Sequence, residues 1–259
     1  MPLAPVRRQV LVPCDAAAAF RSFVDDVGLW WPLATHGVLG AAGTVAFTGG
    51  LLVETGESGE TATWGTVTES RAGESLAFTW HPGRSPEQAT RVGVTFVAAG
   101  DPRATLVTLR HDGWEAYPDP AGARARYAGG WVGVLDRFAA HAESSVPSGA
   151  GGDASAPGEI WLVLEHTAGP AAPSGGVFSS PDFAQHVEFL ASLRDDGVLV
   201  AAGPLPDRAG AGMTMVRVTG ADTVSRAAWV VAVAQHEDAS VTGGLLEVLV
   251  RPWHVVMRG

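Results

Sequence analysis

Residues 183–207 read FAQHVEFLASLRDDGVLVAAGPLPD and decide the fold of the carboxy-terminal half. Apolar residues recur at helical spacing in the first part, which predicts a helix over 181–196. A short apolar run then predicts a strand over 198–202. Gly203 and Pro204 predict a tight turn, because proline fixes φ. A helix that leads directly into a strand indicates mixed α and β structure.

His186 lies on the apolar side of the predicted helix. On a helical wheel the rest of that face is formed by Phe183, Val187, Phe189, Leu190 and Leu193. A buried imidazole needs partners, since an unpaired polar group costs about 1–3 kcal/mol. Two interpretations stay open: a core histidine bonded to a backbone carbonyl, or a general acid or base oriented by a carboxylate. Gly203 and Pro204 form either a simple turn or a backbone contact for a ligand beside His186.

Helices and strands continue to alternate on both sides of this stretch. Strands are predicted over 159–165, 198–202, 213–218 and 245–250, and helices over 181–196 and 222–234. The order β-α-β-β-α-β is that of the ferredoxin-like split unit. Because such a sheet exposes one face, pairing of two sheets in a homodimer is a natural way to cover it.

Residues 143–157 are small and polar, which is typical of a flexible linker. Upstream of them, the pattern predicts a strand, a helix, an antiparallel meander and a long helix over 124–141. The sequence therefore predicts an α+β protein of two domains, at 1–142 and 158–259, joined by a linker at 143–157.

Aromatic residues in the first domain gather where a cavity between sheet and long helix would lie. Large rings suit an apolar pocket with a few polar anchors, and they suit an ordinary core equally well. The candidate ligand-binding residues are Trp31, Trp80, His111, Trp114 and Trp131. His111 alternates with Val107 and Leu109, which predicts that it faces inward. His81 ends a strand before Pro82, and we expect it to be exposed.

Charge and composition exclude several classes of function. The chain has 17 basic against 27 acidic residues and a net charge of −10, which argues against nucleic-acid and anionic-membrane partners. All the basic residues are arginine, so a lysine Schiff base and a P-loop lysine are excluded. The single cysteine, Cys14, excludes an internal disulfide and multi-cysteine metal sites.

Cofactor and targeting patterns are also missing from the sequence. No two histidines have the spacing of a helical metal motif, and the glycine-rich dinucleotide pattern does not occur, so we predict neither a metal nor a cofactor. No apolar run approaches the roughly 20 residues of a membrane helix, and the start lacks the pattern of a secretory signal. With its alanine and glycine bias, the sequence is expected to be a bacterial cytoplasmic protein.

The first domain resembles the START-like (SRPBCC) superfamily, in its activator of heat-shock-protein-90 ATPase homologue branch. The matching stretches are AFRSFVDDVGLWWP (19–32), GGLLVETGESGETATWGTV (49–67), LAFTWHPG (76–83), TLVTLRHDGWE (105–115) and YAGGWVGVLDRF (127–138). The resemblance implies a helix-grip fold, in which an antiparallel sheet wraps the carboxy-terminal helix. It also implies a cavity that holds a hydrophobic ligand.

Residues 158–255 resemble the YciI-like family. The matching stretches are IWLVLEH (160–166), residues 183–207 quoted above, and HEDASVTGGLLEVLVRPW (236–253). The family pattern has a helix histidine before Gly-Pro and an aspartate that opens Asp-Pro-x-Val, which here are His186 and Asp238. This chain reads Asp-Ala-Ser-Val, so the proline of that pattern is missing. The resemblance implies a dimeric ferredoxin-like fold and a His–Asp pair in small-molecule chemistry.

Three hypotheses for function follow. The first is a cofactor-independent enzyme for a small apolar or aromatic molecule, of lyase, isomerase or hydrolase type, with His186 as general acid or base and Asp238 as its orienting group. The second is a non-catalytic ligand-binding or regulatory protein. The third is a chaperone ATPase activator, which only the family name suggests and which we rank lowest, because a fold does not fix a function.

Overall fold

A computed structural model describes residues 3–145 and 158–257. The chain divides into two compact units: one comprises Met1–Val97 and Val107–Ala150, and the other comprises Ala98–Leu106 and Gly151–Gly259. Among the described helices, none combines the length and the apolar character that crossing a bilayer requires.

The first unit is built on an antiparallel sheet and one long helix. The strands are β1 (Val6–Val12), β2 (Thr44–Thr48), β3 (Leu51–Thr55), β4 (Thr61–Arg71), β5 (Ser75–Trp80), β6 (Thr90–Ala98) and β7 (Thr105–Asp112). Their order in the sheet is β1-β7-β6-β5-β4-β3-β2. The helices are α1 (Ala16–Asp25), α2 (Val27–Trp30), α3 (Leu33–His36) and α4 (Pro120–Ser144).

The core of this unit lies between the sheet and α4. On β5, the alternate residues Leu76, Phe78 and Trp80 are buried, as period-two patterning predicts. The apolar stripe of α4 joins the same core cluster through Trp131 and Phe138. An antiparallel sheet packed on a long helix is consistent with the helix-grip fold that the family resemblance implies.

Helix α4 is longer than its apolar pattern predicts. It begins at Pro120 rather than 124, because the Asp119 side chain caps it by accepting a hydrogen bond from the Gly122 amide, and proline is well suited to a first helical position. It ends at Ser144, two residues inside the predicted linker. The rest of that linker, from residue 146 to residue 157, lies outside the described residues.

The second unit has a four-stranded antiparallel sheet. Its elements are β8 (Glu159–Ala168), α5 (Phe183–Asp195), β9 (Leu199–Pro204), β10 (Gly212–Thr219), α6 (Thr223–His236), α7 (Ala239–Thr242) and β11 (Leu246–Pro252). The strand order is β11-β8-β10-β9. The short helix α7 was not expected from the sequence.

Within residues 183–207, the end of α5 agrees with the sequence prediction, whereas the structure at Gly203 and Pro204 does not. Helix α5 ends within the predicted range and is followed by a glycine. Gly197 has φ +72°, and the amides of Gly197 and Val198 donate to the carbonyls of Arg194 and Leu193, which is the Schellman arrangement. The predicted Gly203–Pro204 turn is wrong. Gly203 and Pro204 are the last paired residues of β9, opposite Met213 and Gly212, and the turn follows them.

Candidate functional site

His186 and Asp238 meet in the interior of the second unit. His186 is on the buried side of α5 with Phe189 and Leu193, whereas Val187, expected on the same face, is 53% exposed. Asp238 is the N-cap of α7. The Nδ1 atom of His186 and the Oδ2 atom of Asp238 are 2.7 Å apart. Both residues are buried.

The contacts of Asp238 hold it as a carboxylate. Its Oδ1 atom accepts hydrogen bonds from the amide and the hydroxyl of Ser240, at 2.9 and 2.6 Å. Burial acts to raise the pKa of Asp238, but the hydrogen bonds from His186 and Ser240 outweigh it and the pKa lies below its usual value. Because a carboxylate only accepts hydrogen bonds, the network assigns the hydrogen to Nδ1 of His186. With the hydrogen on Nδ1, the lone pair of a neutral His186 ring lies on Nε2.

A second histidine lies beside this pair. His166 continues the inward face of β8 after Ile160, Leu162 and Leu164, and it is 2% exposed. Its ring centroid is 4.5 Å from that of His186. Neither ring nitrogen has a hydrogen-bond partner among the described residues. Burial, with a smaller effect of His186, lowers the pKa of His166 to about 4, against weaker opposing effects of the Asp238 carboxylate and the Leu164 backbone, so the ring is neutral near pH 7.

Both histidines line a pocket of about 330 Å³ in the second unit. Gly203 and Pro204 line it as well, as does the otherwise exposed Val187. The remaining wall is mostly apolar and includes Val177, Phe178, Phe183, Leu190, Met213 and Leu246. Apart from the two histidines, its lining residues include none that can carry a charge. This volume and lining suit a small apolar ligand.

The two histidines and Asp238 could together hold a metal ion. His166, His186 and Asp238 each offer one ligand atom, and these atoms lie within 4.8 Å of one another. Imidazole and carboxylate ligands suit zinc and other first-row transition metals. The sequence did not indicate this group, because its members lie on β8, α5 and the start of α7, far apart along the chain.

The candidate residues of the first unit pack against one another in its core. The ring centroids of Trp31, Trp80 and Trp131 are 5.4–5.9 Å apart, and the Trp114 ring lies tilted against His111 at a centroid distance of 4.2 Å. All five candidates are buried, with His111 at 0% exposure. Their role in ligand binding stays a prediction, and their packing is that of a filled aromatic core.

His111 is fully hydrogen-bonded within this core. Its Nδ1 atom accepts from Trp131 Nε1 at 3.0 Å, so its Nε2 atom carries the hydrogen and donates to Thr90 Oγ1 at 2.7 Å. The Thr90 hydroxyl in turn donates to the Trp80 carbonyl at 3.0 Å. Burial lowers the pKa of His111 to about 3. The ring is therefore a neutral link between β6, β7 and α4.

The expectation that His81 is exposed is wrong. His81 is 3% exposed, and its Nδ1 atom lies 3.3 Å from the Arg84 carbonyl. The amide of His81 also donates to the Trp64 carbonyl at 2.7 Å. These backbone contacts hold the chain against the core after β5 has ended.

Comparison with family models assigns the first unit. Residues 15–143 match the model described as activator of Hsp90 ATPase homolog 1-like protein. Residues 15–143 thus carry a START-like domain of this family. A search of the curated proteins found no match.

Solved structures that match the chain cover about half of it. Protein MLL2253 from Mesorhizobium loti is 13% identical over 55% of this chain and 99% of its own, with a TM-score of 0.40. The Aha1 dimer from Colwellia psychrerythraea is 14% identical over 56% of this chain and 100% of its own, with a TM-score of 0.37. An anthrahydroquino-gamma-pyrone synthase, Txn09, is 24% identical over 54% of this chain and 97% of its own, with a TM-score of 0.39.

The structure brings some of the residues named from the sequence together at one pocket and leaves others in the core of the first unit. In the structure, His186 lies beside Asp238 and shares the pocket with Gly203 and Pro204, whereas the five candidates of the START-like domain fill its core. His166 was missed, although its place in the alternation Ile160, Leu162, Leu164 indicates an inward-facing residue. The alternation predicts the side of the sheet that His166 faces, but not which helix residue packs against it.

Proposed function

We propose that residues 158–259 form a YciI-like domain of ferredoxin-like fold, and that this domain performs cofactor-independent acid–base chemistry on a small apolar or aromatic molecule. The order β-α-β-β-α-β and the strand order β11-β8-β10-β9 support the fold. The function rests on one observation: His186 is 2.7 Å from a buried carboxylate and at the same time lines an apolar pocket.

The two residues of the pair have distinct proposed roles. The Nδ1–H group of His186 donates to Asp238, which leaves the Nε2 lone pair to remove a proton from a bound molecule. The imidazolium that forms is stabilised by the Asp238 carboxylate, and the two hydrogen bonds from Ser240 hold that carboxylate in place. Asp238 does not line the pocket, so it acts through His186 and is a positioning residue.

Proton abstraction by the pair can be measured without knowledge of the natural substrate. Nitrobenzisoxazole loses a C–H proton to a base and opens its N–O bond, which yields a coloured phenolate. We expect the protein to accelerate this reaction, and His186→Gln and Asp238→Asn each to reduce the rate by about 100-fold or more. The initial rate is followed by absorbance across a pH series.

Matched controls use an exposed histidine and an exposed aspartate of the same unit. His236→Gln and Asp195→Asn lie on α6 and α5, outside the pocket, and both are expected to keep the wild-type rate. Equal rates in the wild-type protein, His186→Gln and Asp238→Asn would contradict the proposal. Folding of each variant is checked by circular dichroism.

Ligand binding without turnover is the second candidate function. It is favoured by the apolar lining of the pocket. The family resemblance of the first unit implies a further site for a hydrophobic ligand, although the five candidates there pack against one another. Under this alternative, native mass spectrometry shows a ligand retained by the wild-type protein and equally by His186→Gln, with no reaction of nitrobenzisoxazole in either.

In addition to the acid–base chemistry, we propose that two copies of the chain form a homodimer through the YciI-like domain.

A further inference from the structure

His166 is a buried polar group that the proposed acid–base pair does not use. It is 2% exposed, and both ring nitrogens lack a hydrogen-bond partner within the described residues. The nearby carboxylate of Asp238 is already engaged by His186 and Ser240. Unsatisfied buried groups are rare in folded proteins and call for a partner. Since His166 lines the pocket, a bound molecule can supply that partner.

We infer that His166 is the electrophilic group of this site, a neutral imidazole that donates an N–H hydrogen bond to the oxygen of a carbonyl substrate while His186 removes the proton from the adjacent carbon. This inference rests on the proposed function and names its substrate class. The ring centroids of His166 and His186 are 4.5 Å apart, and both residues line the same pocket. One small molecule can therefore contact both.

The surroundings of the two histidines differ in the way that such a division of roles requires. His186 has a carboxylate at 2.7 Å, which stabilises the charge that it gains on taking up a proton. His166 has no such hydrogen-bonded counter-ion in the described structure, so an N–H group of its ring can donate to a bound molecule. In many enzymes, two side chains of the same type take different catalytic roles because their environments differ.

The lining of the pocket restricts the substrate further. Phe178 and Phe183 lie on the wall, and no arginine lines it. A carboxylate or phosphate group on the ligand would thus lack a cation to pair with, which makes its burial costly. The substrate class that fits is an uncharged apolar ketone with an acidic hydrogen next to the carbonyl.

The step balances without a further reactant. The Nε2 lone pair of His186 takes the proton, and the C–H electron pair forms a carbon–carbon double bond. The carbonyl π pair moves to the oxygen, which becomes an enolate oxyanion and accepts the hydrogen bond from His166. Return of the proton from His186 to either end of the enolate, or loss of a group with its electron pair from the β carbon, completes an isomerisation or an elimination.

The test follows hydrogen exchange of β-tetralone, an apolar ketone, in heavy water by NMR. We expect the wild-type protein to catalyse exchange at the carbon next to the carbonyl. His166→Leu is expected to lower kcat by about 100-fold, the usual cost of removing one oxyanion donor. His166→Gln, which keeps a neutral N–H donor, is expected to restore at least a tenth of the rate. Binding of β-naphthol, followed by fluorescence, is expected to stay within about threefold in both variants.

The outcomes separate this inference from the proposed function. If the protein opens nitrobenzisoxazole but does not exchange β-tetralone, or exchanges it equally well as His166→Leu, the role of His166 is overturned and that of His186 stands. If neither reaction occurs, both proposals fail. Exchange that is abolished by EDTA and restored by Zn²⁺ would instead show that His166, His186 and Asp238 hold an ion, and would overturn the hydrogen-bonding role.

Discussion

Glu54 is a carboxylate buried at 0% exposure in the first unit. Its oxygens accept from the amides of Val38 and Leu39, at 2.8 and 2.9 Å, and from Trp64 Nε1 at 3.0 Å. All three partners are N–H donors, so the side chain satisfies groups that would otherwise be buried without a partner. It also joins β3 and β4 to the loop that follows α3.

Replacing Glu54 by glutamine is expected to lower the free energy of unfolding by about 2–3 kcal/mol. One acceptor oxygen becomes an NH₂ group that faces N–H donors, and each buried polar group left unpaired costs about 1–3 kcal/mol. Urea unfolding monitored by tryptophan fluorescence measures the change. The control is Glu69→Gln, an exposed residue of the same unit, for which we expect a change below about 0.5 kcal/mol. A Glu54→Gln protein as stable as the wild type would contradict this role.

At the scale of elements, periodicity predicted which side of a strand or helix is buried, but not what lies opposite. The pattern around His186 predicted a helix with an inward histidine, and α5 has that geometry. Asp238 was named from a family resemblance. The resemblance did not indicate that Asp238 would cap the short helix α7. His166 and Glu54 escaped notice because each is a polar residue at an inward strand position, where patterning alone expects an apolar one.

Strand β9 is an exposed edge strand of the sheet in the second unit. It lies at the edge of its sheet, and five of its six residues are exposed. Its sequence, LVAAGP, carries no charged residue, although natural proteins commonly protect an exposed edge with charge. We infer that a second copy of the chain covers β9 in a homodimer.

The dimer is expected to have twice the 26.7 kDa mass of the chain in size-exclusion chromatography with light scattering. Val200→Glu, which places a charge on β9, is expected to shift the protein to the monomer mass, because a buried unpaired carboxylate opposes association. Val97→Glu is the matched control: Val97 and Val200 are 46% and 47% exposed, and Val97 lies on the strand β6. A wild-type protein of monomer mass, or equal disruption by both changes, would refute the assignment of β9 to the interface.

At the scale of the whole molecule, the described part of each unit contains a buried histidine whose pKa lies far below its usual value. The pKa is about 3 for His111 and about 4 for His166, and burial is the main cause in both. An unfolded histidine titrates near pH 6.5. As the pH falls below about 6.5, these two histidines therefore bind protons in the unfolded chain but not in the folded chain. Stability is complete above that pH and is lost toward pH 4 and 3, by about 1.4 kcal/mol per pH unit for each histidine.

The free energy of unfolding is accordingly expected to fall between about pH 6.5 and pH 4 with a steeper slope than carboxylates alone produce. His166→Leu removes one of the two groups, so its slope in this range is expected to decrease by about 1.4 kcal/mol per pH unit. The exposed control His236→Gln is expected to keep the wild-type slope. Urea unfolding at several pH values gives all three slopes. An unchanged slope in His166→Leu would mean that His166 already carries a proton in the folded protein, which its burial without a hydrogen-bond partner opposes.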